Sequence, residues 1–240
     1  MTSHTILDKN SHRDLRIRTE ASDSLGDAVM ACLIVPSEFR RVQNEFPILF
    51  RRDLDSDRFS ALVLMGFETG ENLFIDAGRW DARYRPLALA IQPFLVGRPA
   101  EDGGPSHIHV DLAHGRVAKD GEEGVRAFDD EGRPTPYLDN IAAALDELDQ
   151  GYRNSEAFFA ALSRYDLLEP FSLDIELRDG SRNRLVGYHL IDEEKLRALE
   201  PGGLAELHAE GHLLPIFMAI ASLANFSALV ERKNRRIGDG

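Results

Sequence analysis

Three histidines, His107, His109 and His114, bracket Asp111, and this run is where the chain comes nearest to a metal-ligand pattern. His109-Val110-Asp111 matches the H-x-D half of the facial triad of non-haem iron oxygenases. On a strand, residues two apart share a face, so both side chains can reach one ion. In that reading His189 is the distal ligand, iron is the metal, and Arg197 anchors the carboxylate of 2-oxoglutarate. The surrounding pattern argues against it. Such an oxygenase needs a closed set of strands between its ligands, whereas residues 137–165 read as two helices and Arg197 falls on a third. An ordinary half-exposed strand beside a polar loop accounts for the run better.

His208 and His212 are four apart, but Ala209-Glu210-Gly211 between them is not the H-E-x-x-H zinc pattern, and Gly211 reads as the glycine that ends a helix. No phosphate loop and no G-x-S-x-G elbow occur. The acid pairs Glu122-Glu123 and Asp129-Asp130 lie in a polar loop, without the enclosure that acid–base work needs. Phe158, Phe159, Phe217 and Phe226 recur at helical spacing and read as core. Recognition chemistry has a better candidate. The only tryptophan, Trp80, stands among Arg79, Asp81, Arg83 and Tyr84, just after Glu71 and Asn72 in a turn. Trp, Tyr and Arg combine large contact area with a polar handle and dominate binding hot spots. These seven residues are the expected partner or ligand surface.

Composition sets the outer bounds. The chain has 240 residues, 43% hydrophobic and 29% charged, which fits a folded domain able to bury a core without staples. Its single cysteine, Cys32, can form neither an internal disulfide nor a thiolate zinc site, and it lies in an apolar run. The formal charge of −13 repels phosphate backbones, so nucleic acid is not an expected partner. Arg232, Lys233, Arg235 and Arg236 read as a solvated helix end, where cations suit the dipole. The opening residues have no apolar h-region, and a cytoplasmic location is expected. Residues 213–230 carry no charge, the minimum length of a membrane helix. Pro215, Ser222, Asn225 and Ser227 point instead to a helix packed on the domain, without membrane insertion.

The elements that position these residues alternate between two periods. Strands are expected at 15–18, 29–35, 48–51, 60–67, 73–75, 94–97 and 108–112. A short helix at 38–45 follows Pro36, and another covers 81–91. Residues 100–106 and 113–134 are rich in Gly, Asp, Glu and Pro and are expected to be the least ordered, with the second the first to be cut by a protease. Helices at 137–148 and 155–165 precede a hairpin, 171–177 with 184–191, turned at Asp179-Gly180. Asp192 caps a helix at 193–199, and 204–209 and 213–232 complete a helical end. This order gives an α+β fold with antiparallel sheets and a helical C-terminal part. Residues 1–240 read as a single domain, with a sub-division near 135 between a strand-rich and a more helical half.

Four runs together resemble the SapC family of bacterial proteins. They are VPSEFRRVQNEFPILF at 35–50, GENLFIDAGRWDARYRP at 70–86, DLLEPFSL at 166–173 and GYHLIDEEKLRAL at 187–199. The second run is the specific one, and the resemblance spans roughly residues 6–230. It implies a cytoplasmic accessory protein acting by binding an unknown protein or small molecule, related by family name to the surface layer (S-layer) or envelope. It carries no catalytic residues onto this chain, and no catalysis or cofactor is inferred. The runner-up is the iron oxygenase above; a small-molecule sensor is the third reading.

Overall fold

Every strand pair among the described residues is antiparallel, as expected where hairpin turns rather than crossover helices separate the apolar runs. The computed structural model describes residues 4–97, 107–119 and 122–238. In chain order these form β1 (His4–Ile6), β2 (Arg16–Ile17), β3 (Ala31–Ile34), α1 (Phe39–Val42), β4 (Ile48–Arg52), β5 (Phe59–Leu64), β6 (Ile75–Asp76) and β7 (Arg79–Trp80). Then come α2 (Leu87–Ala90), β8 (Phe94–Gly97), β9 (His107–Asp111), β10 (Val125–Arg126), α3 (Pro136–Arg164), β11 (Leu168–Glu176) and β12 (Arg182–Ile191). The chain closes with α4 (Glu193–Arg197), α5 (Pro201–Ala209), α6 (Leu213–Ser222) and α7 (Asn225–Gly238). The fold is α+β.

The chain makes two compact units, one of residues 1–28, 75–81 and 87–150, the other of residues 29–74, 82–86 and 151–240. They interleave along the sequence, and no boundary between them falls near 135.

The second unit is built on a five-stranded sheet in the order β11-β12-β4-β5-β3. Ile48, Leu49 and Phe50 are all buried, so β4 is covered on both faces, which a run of consecutive apolar residues requires. Phe39 meets Phe158 edge-on at 5.9 Å, and Phe50 meets Phe159 at 6.4 Å. The turn between β4 and β5 is polar as expected: the Asp53 carboxylate accepts the N–H groups of Asp55 and Ser56, both at 2.9 Å. The Asp179-Gly180 turn between β11 and β12 is also where the sequence puts it, with Gly180 at φ 83°. Asp192 caps α4 by accepting the Lys195 N–H at 2.9 Å.

The first unit holds the three-stranded sheet β1-β9-β8 and the pairs β2–β10 and β6–β7. Leu138, Ile141, Leu145 and Leu148 of α3 are buried at spacings of three and four. Asp27 and Arg116 are also buried, 0% and 2% exposed. The Arg116 guanidinium donates to the Asp27 carboxylate at 2.6 Å and to the carbonyls of Arg18 and Glu20 at 3.0 and 3.1 Å, which compensates part of its lost hydration, its Nε staying buried without a partner.

Several expectations need correction. The two helices expected at 137–148 and 155–165 are one, α3, continuous through Gly151. A Cβ at Gly151 would lie 2.5 Å from Val35 Cγ2, so the glycine there permits close packing instead of ending the helix. The expected helix at 213–232 is two, parted at 223–224. The helix at 81–91 shrinks to α2, and Leu73 and Phe74 are buried without being in a strand. Loop 113–134 is largely built in: Arg116, Ala127 and Phe128 are buried, and Val125–Arg126 pairs with β2. The other expected loop, 100–106, lies outside the described residues.

Candidate functional site

The motif at 35–46 begins with a short 3₁₀ turn, Pro36–Glu38, that leads into α1. Proline fixes the first φ of this turn and gives up no needed N–H. The turn aims Glu38 inward, fully buried. One carboxylate oxygen accepts the Val35 N–H at 3.1 Å and the other the Tyr84 hydroxyl at 2.9 Å. The Glu45 carboxylate accepts the N–H of Arg83 at 2.9 Å and that of Tyr84 at 3.3 Å. The Arg41 guanidinium lies 4.8 Å over the Tyr84 ring. Two acids of the first motif thus latch the end of the second.

The turn at 68–74 is clamped from the other side. Lys233, only 9% exposed, donates to Glu71 at 2.6 Å and to Glu68 at 2.9 Å. Glu71 also accepts the Phe67 N–H at 2.8 Å, and Glu68 accepts from Asn183 at 3.1 Å. Arg236 donates to the Asn72 carbonyl at 2.8 Å, and Arg232 stacks 4.3 Å over Phe74. Burial pulls the Lys233 pKa down, but the hydrogen bonds to Glu71 and Glu68 outweigh it and leave the group above its ordinary value. The Glu68 carboxyl is held below its usual range by the bond from Lys233 and then by Asn183. The basic cluster is therefore not a solvated tail: three of its four members hold the turn, because carbonyls and carboxylates that leave water there need donors.

This clamp corrects part of the expected recognition surface. Asn72 is 2% exposed, its side chain accepting the Phe74 N–H at 3.0 Å. Glu71 is committed to Lys233, and Tyr84 to Glu38. Arg79, Asp81 and Arg83 are exposed and Trp80 half-buried. Trp80 faces Ile75 across a hairpin whose two central residues, Ala77 at φ 45° and Gly78 at φ 77°, give the turn that matches strand twist. Arg79, Trp80 and Asp81 belong to the first unit; Glu71, Asn72, Arg83 and Tyr84 belong to the second.

Of the expected iron triad, His109 and Asp111 lie in the first unit and His189 in the second. Among the described residues no three His, Cys, Asp or Glu side chains gather into a set that could hold a metal ion. The His109 ring packs across Gly97, filling the space where a Cβ would stand, and Asp111 turns back to accept the Ala113 N–H at 3.0 Å. His189 sits edge-on to Phe59 at 5.0 Å, its Nδ1 buried without a hydrogen-bond partner. Burial, then the charge of Arg52, pulls its pKa down. Arg197 bonds Glu193 within α4 at 2.7 Å. Gly211 ends α5 at φ 77°, as its position suggested, and His212 is buried edge-on to Phe158 at 5.7 Å while His208 is exposed.

The Asp27–Arg116 pair escaped sequence reasoning, because an arginine in a Gly/Asp-rich stretch carries no mark of burial. The latch had a faint signal: Glu38 and Glu45 are the two acids of the motif at 35–50 and stand seven residues apart. In the two motifs the carboxylates of Glu38, Glu45 and Glu71 are taken up by hydrogen bonds within the protein. No curated protein and no solved structure matches the chain. A family model described as SapC matches residues 7–229, nearly the whole length. The chain belongs to the SapC family.

Proposed function

We propose that this protein is a cytoplasmic accessory protein that acts by binding a partner, tied through its family to surface-layer or envelope functions, and that it performs no catalysis. One observation supports the reading most. The carboxylates of Glu38, Glu45 and Glu71 in the two signature motifs are spent on hydrogen bonds within the second unit, while in the first unit Arg79 and Asp81 are exposed and Trp80 is half-buried. Such residues recognise a surface and need no enclosed site. The charge of −13 favours a protein or small molecule over nucleic acid. The test is affinity capture from native lysate with the full chain and with Trp80→Ala and Arg79→Ala. A specific partner retained by the wild type and lost by both variants, at unchanged melting temperature, is expected. Equal capture by all three would sink the reading, as would turnover of a substrate.

A second reading, small-molecule sensing, is favoured by a cavity of about 390 Å³ within the first unit.

A further inference from the structure

The cavity lies between α3 and the β8–β9 pair. Val96 and Ile108, directly opposite each other across the two strands, supply one wall. Ala142, Leu145, Asp146 and Asp149 recur at spacings of three and four on α3 and supply the other, with Ala143 beside them. Its size falls within the range of about 300–1,000 Å³ usual for small-molecule sites. The space exists because the facing helix carries alanine at 142 and 143, where larger side chains would fill it.

Its chemistry is divided. Leu145 is buried and Val96, Ile108 and Ala142 are half-buried, so the interior is apolar. Asp146 and His107 are exposed and Asp149 is half-buried, and all three line the cavity. Asp149 already has a partner within the protein, which leaves Asp146 as the acid for an occupant. The three groups do not converge as metal ligands, which disfavours a bare ion. An occupant must instead reach from Asp146 to the apolar wall.

We propose that this cavity binds a small organic cation: an ammonium or guanidinium group held at Asp146, with an apolar body against Val96, Ile108, Ala142 and Leu145. The overall charge of −13 adds a field that draws cations to the molecule. An anion is repelled at Asp146, and a neutral isostere gains the apolar contacts alone. The proposal deepens the sensing reading and rests on it. It is independent of partner recognition at Trp80.

Three probes of one shape separate the terms: phenethylamine, phenethyl alcohol and phenylacetate, titrated into the full-length protein and followed by the methyl resonances of Val96, Ile108 and Leu145. Phenethylamine should move these resonances and bind about threefold to fivefold tighter than the alcohol, with the acid weakest, the scale of one exposed charge pair. Asp146→Asn should weaken the amine about threefold to fivefold, the scale of one exposed charge pair, and leave the alcohol unchanged. Ala143→Leu should abolish binding of both by filling the space. Equal affinity for the three probes, or an amine affinity indifferent to Asp146→Asn, overturns the assignment to cations. If no probe moves the three methyls, the cavity is not a ligand site and the sensing reading falls with it. A Trp80→Ala protein that loses its protein partner but still binds phenethylamine keeps the two sites apart.

Discussion

At the residue scale, buried charge is the theme, and its consequences can be measured. Lys233 stands between two carboxylates, one half-buried. Lys233→Met keeps the length of the side chain and removes the cation, which leaves Glu68 and Glu71 facing each other. The expected cost is about 1–3 kcal/mol, the range for losing a charge-assisted hydrogen bond. In a chain of this size that lowers the melting temperature by about 2–4 °C per kcal/mol. Arg235→Met, at an exposed position of the same helix, should stay within about 0.5 kcal/mol. His114 gives a pH dependence. Burial, then the charge of Arg116, lowers its pKa, and Asp111 and Asp27 offset only part of this. A lowered folded pKa means the unfolded chain binds the proton first, so stability is full above the ordinary histidine value near 6.5 and falls as pH drops through it. His189 shifts the same way. Urea unfolding between about pH 7 and about pH 5 should show stability falling with acid, and His114→Gln should lessen the slope. An unchanged slope would remove His114 from the account.

At the element scale, α3 shows propensity overruled by packing. Glycine inside a helix costs about 1 kcal/mol against alanine, so Gly151→Ala would ordinarily stabilise. Here the new methyl would meet Val35 Cγ2 at 2.5 Å and Val35 Cβ at 2.9 Å. Overpacking of that kind costs about 1–3 kcal/mol, so the substitution should be neutral to destabilising. In a Val35→Ala background the 2.5 Å contact is gone and the 2.9 Å contact to Cβ remains, so Gly151→Ala should cost less there than in the wild type, a coupling that a double-mutant cycle reads directly. The same logic explains Gly97, whose missing side chain makes room for the His109 ring. The break between α6 and α7 is also a packing event. Ser222 donates to the Ala219 carbonyl and accepts the Ile48 N–H, and Asn225 donates to the carbonyls of Gln43 and Phe46. These bonds tie the helix to the sheet where it parts.

At the scale of the whole molecule, one stretch is poised between two solvents. Leu213–Gly238 is long and apolar enough to cross a membrane by length and composition. In this fold Ile216, Ala219 and Ser222 of α6 are buried, while Leu214 and Phe217 are 57% and 54% exposed. The buried face and the hydrogen bonds of Ser222 and Asn225 belong to a folded protein, so we expect the chain to be recovered without detergent and monodisperse. Strict recovery with membranes, abolished by deleting 213–238, would overturn this. Proteolysis bears on the two units. Arg116 is locked into its ion pair, so a trypsin-like protease should spare it and cut first at exposed Lys119 within 113–134. First cleavage inside 35–94 would contradict this reading of the fold.

What the sequence determined by itself was whatever depends on neighbours along the chain. Apolar and alternating runs placed β3, β4 and β12 to within a residue or two, Asp192 marked a cap, and Asp179-Gly180 marked a turn, because these are local preferences of backbone and side chain. Family membership was legible for the same reason: it lives in short runs such as GENLF and GRWDARY. What only tertiary structure decided was which polar groups leave water. Arg232, Lys233 and Arg236 near the end, the Glu71-Asn72 turn and Arg116 all read as solvated, since charge alone says nothing of burial. They are drawn inward because residues distant in sequence, 233 against 68 and 71, 116 against 27, 84 against 38, meet there and exchange water for one another. The histidine pattern shows the converse limit. His109 and Asp111 share a strand, but a metal site needs a third ligand at bonding distance, and that is fixed by the path of the chain and not by the spacing of two residues.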